Sequence, residues 1–455
     1  MDVVILSRIQ FALTIAFHYI FPPLSIGLGL LLVLMEGAYL KTGNPLYERM
    51  TKFWVKIFSL TFSMGVASGI VMEFQFGTNW AYYSRYVGDV FGSALAAEGI
   101  FAFFLESGFL AVLLFGWNKV GKKMHFFSTC MVALGAMFSA IWIIVANSWM
   151  QTPAGYHIVT HAGGERAEIT DFWALVFNPS SMDRLVHTVL GAWQAGAWLV
   201  ISVSAFYLLS KRHLDFAKAS IKIALVLAAF SSAAQLVSGH HSGVMISKYQ
   251  PAKLAAFEGH FAENAPADLH LFGWVDEKSG EVKGGPKVPG GLSFLVTGNA
   301  SAPLKGLEAF DAKDRPPVNV SFQSFHWMVG LGVLLIVLSF AGLFGWMRGT
   351  LFESKWLLGI FVPAVLAPQL ANQIGWIAAE VGRQPWIVYG LLRTEQGVSR
   401  VVGAGQVLAS IVMFSFVYLL LFILFIYLLD HKIRTGPEEI AVPKTGEILR
   451  HRADA

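Results

Sequence analysis

A short set of ionisable side chains stands in stretches of this sequence where charge is otherwise avoided. They are His18, Glu73, Glu98, Glu106, His187, His326 and Glu380, with Met328 two residues after His326. Ionisable groups inside an apolar span are costly and usually functional. Imidazole, thioether and carboxylate are also possible axial ligands for iron. A His/Met pair is a recognised low-spin haem set, and a single His or carboxylate leaves a position where oxygen can bind. Each residue has a plainer reading too. A lone intramembrane His is more often a hydrogen-bonded helix contact, a Met fills an apolar gap, and a Glu at a helix end reaches the interface. Whether these residues share one layer decides between the readings, so the elements that carry them come next.

A membrane-spanning helix needs about 20 mostly apolar residues. Runs lacking Asp, Glu, Lys and Arg cover 9–35, 57–72, 185–210, 223–247, 316–347, 356–379 and 401–429, and 124–164 holds one span and a loop. A further run, 90–118, is interrupted only by Glu98 and Glu106. The expectation is an all-α integral membrane protein of nine transmembrane helices. The runs are continuous rather than alternating, which argues against a β-barrel. The first run is too long for a cleavable leader, and Pro22-Pro23 is expected to kink it.

Lys and Arg cluster after the odd-numbered helices, as at Lys41, Arg49, Lys52 and Lys56, or Lys119, Lys122 and Lys123. That bias places the N-terminus outside and the C-terminus in the cytoplasm. The chain then divides into a six-helix segment (1–247), a long external loop between helices 6 and 7 (248–322), a three-helix segment (323–430) and a cytoplasmic tail (431–455). In this orientation His18, Glu98, His187, Met328 and Glu380 all fall in the outer half of their helices. Glu106 lies eight residues deeper than Glu98, about 12 Å along an α-helix.

Composition agrees. The 33 basic and 29 acidic residues make 14% of 455, against about 25% in soluble domains. A soluble globular protein, a disordered chain and tandem soluble domains are excluded. The single cysteine, Cys130, excludes a disulfide framework and a cysteine-held metal cluster. The net charge of +4 suggests no nucleic acid.

Several long strings resemble subunit I of the cytochrome bd family of quinol oxidases, in order and over nearly the whole chain. They include SRIQFALTIAFHYIFPPLSIG at 7–27, MEFQFGTNWAYYSRYVGDVFG at 72–92, EGIFAFFLES at 98–107, WIIVANSWMQTP at 142–153, LVHTV at 185–189, KLAAFEG at 253–259 and GRQPW at 382–386. The resemblance implies two haem b groups, one low-spin and one high-spin, and one haem d. It implies His187 and Met328 as ligands of the low-spin haem b, and His18 as ligand of one high-spin haem. Glu98 and Glu380 fall at the other high-spin iron and its surroundings, and Glu106 on a proton path that Ser139 could join. Lys253 and Glu258 fall on the quinol-binding loop. Arg383 and Arg393 suit haem propionates, because guanidinium binds carboxylate bidentately. His326 ranks below His187 as a ligand, since two residues before Met328 point roughly 200° away from it.

The resemblance further implies quinol oxidation near the outer face and reduction of O2 to water with cytoplasmic protons, which makes a membrane potential without pumping. The partners implied are a second membrane subunit, a very small third one in some members, and membrane lipids, in a bacterial cytoplasmic (inner) membrane. The outer loop lacks a long insertion that some members carry, so the chain reads as the short quinol-loop form. Two other classes compete: a haem-b quinol-linked electron carrier, and a proton-coupled secondary transporter, which should place its polar residues at the midplane and carry inverted repeats.

Overall fold

The computed structural model describes residues 2–161, 163–263 and 265–438. Most of the expected tail, 439–455, lies outside the described residues. Among the described residues nine helical stretches are long and apolar enough to cross a membrane: Val3–Thr42, Pro45–Gly77, Gly88–Phe115, Lys122–Gln151, Ser181–Leu209, Leu214–Tyr249, Ala312–Met347, Lys355–Val381 and Ala404–Thr435. They match the nine expected runs and are numbered here as spans one to nine. The first turn between spans shows how local chemistry sets the ends. Gly43 takes a left-handed conformation (φ 67°) that closes span one, and the Asn44 side chain then accepts from the Leu46 N–H to start span two.

Four spans are interrupted, span seven only at its start, where the 3-10 turn Ala312–Asp314 precedes the helix Val318–Met347. The kink expected at Pro22-Pro23 is a full interruption. One helix ends at His18 and the next, Phe21–Thr42, begins with prolines in its first turn, where a missing N–H costs nothing. Span three runs as α-helix over Gly88–Glu98, as π-helix over Gly99–Phe103 and as α-helix again over Phe104–Phe115. Span eight passes from Lys355–Phe361 through a 3-10 turn at Pro363–Val365 into Leu366–Val381.

Spans one to four pack as one bundle and spans five to eight as a second. They meet along spans one and five, where Gly27 faces Gly196. A Cβ on Gly196 would lie 2.6 Å from the Gly27 Cα, so only glycine permits this approach. Span nine packs on spans one and two. The chain crosses back through short turns on one face and through thick segments on the other. The thick face carries a hairpin of Tyr156–His161 and Gly164–Ile169, the segment 250–317, and the segment 382–403.

The 250–317 segment is folded onto the start of span seven. Asn319 bonds the Val275 backbone in both directions (3.1 and 2.6 Å), the Gln323 amide donates to the Gly273 carbonyl, and Phe257 stacks on Phe325 at 4.7 Å. Its GGPKVPGG stretch works as turns, with Gly284, Gly285 and Gly290 at positive φ. The strands of this face are short two-stranded pairs and do not alter the helical class.

Candidate functional site

One cavity of about 1790 Å³ runs between the two bundles, well above the 300–1,000 Å³ usual for a single small ligand. It is lined by His18, Glu98, Glu106, His187, Lys253, Glu258, Met328, Glu380 and Arg383. Nine residues chosen from the sequence therefore converge on one space. Glu73, Ser139 and His326 also line it.

His18 sits at the break in span one, with Nδ1 2.9 Å from the Ser68 hydroxyl of span two. His187, in span five, repeats the arrangement with Ser238 of span six, again at 2.9 Å. The Met328 sulfur lies over Gly375 of span eight, where a Cβ would come within 2.7 Å of it. His326 has carbonyl oxygens 2.9 Å from both ring nitrogens, Phe322 at Nδ1 and His270 at Nε2, either of which its one N–H can bond, and it stacks on the Phe322 ring. It therefore ties the outer segment to span seven.

The π-helix decides how Glu98 and Glu106 relate. Eight residues of plain α-helix would set them about 80° apart. A π-bulge absorbs one residue, which leaves seven α-helical steps, about −20° and about 10.5 Å. The two carboxylates thus share a face, and both meet span four one turn apart. The Ser139 hydroxyl donates to Glu98 at 2.5 Å, and Gly135 makes room for Glu106, whose Cβ would lie 2.8 Å from a Cβ there. Glu106 is buried, and its Oε1 has no partner. The separation of about 12 Å expected for a straight helix is corrected accordingly.

At the thick face, Glu380 accepts from Arg383 and, at 3.1 Å, from the Asn147 amide. Arg184 donates in turn to the Asn147 carbonyl oxygen. Lys253 donates to Gln151 at 3.0 Å and to Gln250 at 3.3 Å. Burial, and then the Arg184 and Arg383 guanidiniums, hold the Lys253 ammonium well below the usual lysine range, against the pull of Glu380. One carboxylate thus faces two guanidiniums and a lysine. Arg383 is 4% exposed, yet its Nε and Nη1 have no partner. Glu258 is 3% exposed with Oε2 unpartnered, and burial pushes its carboxyl up to about 8.

Arg393 does not join this group. It pairs with Asp314, donates to the Lys313 carbonyl at 3.1 Å and covers the Trp386 ring. Its fork is spent on joining segment 382–403 to the outer segment, so of the two arginines expected to suit propionates only Arg383 lines the cavity.

Sequence reasoning missed Arg184, Asn147, Gln151 and Gln250. Arg184 stands three residues before His187 and reads as a charge marking a span end. The amides lie within the 142–153 string but carry no charge to single them out. A second buried group lies near the short-turn face. Glu36 of span one accepts from His125 at 2.6 Å and from Thr129 at 2.5 Å. Glu36 reads in sequence as the end of a span, whereas the fold buries it.

The profile of the family described as cytochrome bd terminal oxidase subunit I matches residues 6–437. The chain is 41% identical over 448 residues to cytochrome bd ubiquinol oxidase subunit 1 of Bacillus subtilis (strain 168), covering 96% of this chain and 95% of the relative. It is 35% identical over 502 residues to cytochrome bd-II ubiquinol oxidase subunit 1 of Escherichia coli (strain K12), covering 96% and 97%. Among solved structures, the bd oxidase from Geobacillus thermodenitrificans matches with a TM-score of 0.89 at 29% identity, over 96% of this chain and 99% of that one.

Proposed function

This chain belongs to the cytochrome bd terminal oxidase subunit I family, and we propose that its cavity holds two haem b groups and one haem d and couples quinol oxidation to O2 reduction. It is a multi-pass membrane protein and a subunit of a quinol:oxygen oxidoreductase that works with a subunit II. Family membership removes support from the electron-carrier and transporter classes. The bacterial cytoplasmic membrane is the proposed location, with the short-turn, lysine-rich face inward. A very small third subunit is part of the proposal, as in some members of the family.

The observation that carries the haem reading is the donor set. Two imidazoles line the cavity, each with Nδ1 bonded to a serine hydroxyl, which leaves Nε2 for a ligand there. A thioether and carboxylates line the same space. The orphaned Arg383 nitrogens and the excess of buried guanidinium suit carboxylates such as haem propionates. His187 and Met328 are assigned to the low-spin haem b, and His18 to one high-spin haem. Glu98 or Glu380 is assigned to the other high-spin iron. Arg383 and Arg184 would hold propionates. When bound, these groups supply electron transfer and oxygen reduction.

The chain's own residues supply the protons and the orientation. Quinol is bound where the outer segment meets span seven. Glu258, buried and unpartnered at Oε2, accepts a quinol proton, and Lys253 orients a ring oxygen. Glu106 and Glu98 face one stripe of span four and pass protons from the inner side toward the cavity, with Ser139 bonded to the outer of the two. Protons consumed from within and released without make the reaction electrogenic with no pumping step.

The test begins with the visible spectrum of the purified oxidase. Haem b bands together with a red-shifted chlorin band are expected. Absence of haem overturns the reading, and haem b alone favours the electron carrier. His187→Ala should remove the low-spin signal. Turnover in sealed vesicles should generate a membrane potential, and a potential of zero at full turnover defeats the proposed proton routing.

A further inference from the structure

His18 and His187 lie in different bundles, yet each meets the same dipeptide on the next span. Ser68-Gly69 faces His18, and Ser238-Gly239 faces His187. The separations along the chain, 50 and 51 residues, are nearly equal. In each pair the serine hydroxyl meets Nδ1 and the glycine lies under the Cε1 edge. A Cβ would stand 3.3 Å from His18 Cε1 and 3.6 Å from His187 Cε1.

The hydrogen of each hydroxyl is already committed. Ser68 Oγ donates to the Met64 carbonyl at 2.8 Å and the Gly65 carbonyl at 3.1 Å. Ser238 Oγ donates to the Gln235 carbonyl at 3.2 Å. A hydroxyl has one hydrogen, so only its lone pairs remain for the imidazole. With the hydroxyls so oriented, Nδ1 carries the ring hydrogen and Nε2 keeps the lone pair. The two rings are held by a bond to Nδ1 and by the flat surface of a glycine, which fixes both tautomer and ring plane. Metal-binding histidines generally need such a partner on the other nitrogen.

We propose that Ser68-Gly69 and Ser238-Gly239 are paired positioning elements. Each serine presets one histidine as an Nε2 donor toward its own haem iron, and Gly69 sets how closely the His18 ring can lie against the neighbouring helix. This rests on the reading of His18 and His187 as iron ligands. Ser68 Oγ lies closer to its carbonyl acceptor than Ser238 Oγ does (2.8 against 3.2 Å), while the two serine–imidazole distances are equal at 2.9 Å. Gly69 has the smaller clearance, so an added methyl should disturb the His18 site, whereas Gly239→Ala makes only an ordinary contact.

The experiment uses the whole purified oxidase with Ser68→Ala, Ser238→Ala, the corresponding threonine variants and His187→Ala. Readouts are reduced-minus-oxidised spectra, low-spin and high-spin EPR signals, and the rate of haem b transfer to excess apomyoglobin. Ser238→Ala should shift the low-spin EPR signal and speed loss of that haem about 10-fold or more, with the high-spin signals unchanged. Ser68→Ala should do the reverse, and threonine should restore each site. Alanine variants that match the parent in spectra and transfer overturn the proposal. So does loss of all haems that threonine does not restore, since that marks a general packing role. If His187→Ala keeps the low-spin haem, the ligand reading itself fails. If His187→Ala loses that haem while Ser238→Ala changes nothing, only the positioning inference fails.

Discussion

The carboxyl of Glu258 gives the most direct test of the quinol site. It is buried in the helix Pro251–Glu258, and burial raises it to about 8. A carboxyl with that pKa is about one-tenth ionised at pH 7 and about nine-tenths at pH 9. If the ionised form takes the quinol proton, kcat/KM for quinol should rise about tenfold between these values. Quinol ionises more readily as pH rises, so the informative quantity is the ratio of parent to Glu258→Gln. That ratio should climb through pH 8 and then level. The assay is oxygen uptake by the detergent-purified oxidase with a short-chain quinol, from pH 6 to 9.5. Stability should move with the opposite sign. The folded state holds a proton that the unfolded chain releases above about 4.5, so parent stability falls as pH rises through that window and levels above 8. Glu258→Gln escapes this loss and should melt higher than the parent at pH 8. A ratio that stays flat from pH 6 to 9.5 would refute Glu258 as the proton acceptor.

Three further outcomes follow from the geometry. Deleting Ile100 converts the π-bulge to plain α-helix while leaving Glu98 and Glu106 seven α-helical steps apart. Oxygen reduction should survive it, whereas one alanine inserted after Phe103 turns Glu106 by about 100° and should abolish turnover. Gly27→Ala or Gly196→Ala overpacks the contact between bundles by roughly 1–3 kcal/mol, to be seen as a lower melting temperature. The two arginines at the thick face should separate cleanly. Arg383→Ala leaves Glu380 short of its closest cation, costs about 3–5 kcal/mol and shifts the haem spectrum. Arg393→Ala frees the outer segment from Asp314 and should raise the KM for quinol with the spectrum unchanged.

The spans and the outer-half set of His, Met and Glu were legible in the sequence, because both follow from one local rule. A bilayer excludes charge, so its exceptions stand out against long apolar runs. All eight side chains so singled out line one cavity, as do Lys253, Glu258 and Arg383, which came from the family resemblance. The break before Pro22 was legible in kind, since proline cannot donate to the preceding turn. The π-bulge was not, because Gly99–Phe103 is an ordinary apolar run whose extra residue shows only in how span three packs on span four. It brings Glu106 under Glu98, where eight plain α-helical steps would turn it about 80° aside. Arg184 and Glu36 were read as end markers because a charge beside an apolar run is ambiguous. Only the packing of neighbouring helices buries Glu36 and gives both residues their partners. Arg383 and Arg393 are chemically alike and ten residues apart. Their split between the cavity and the outer segment depends on which acceptor each reaches, Glu380 or Asp314. The sequence alone thus determined which residue types would meet in the membrane. The tertiary structure decided which atom of each is bonded to a neighbouring helix, because hydrogen bonds from small residues such as Ser68 and Ser238 carry no signal until two helices lie side by side.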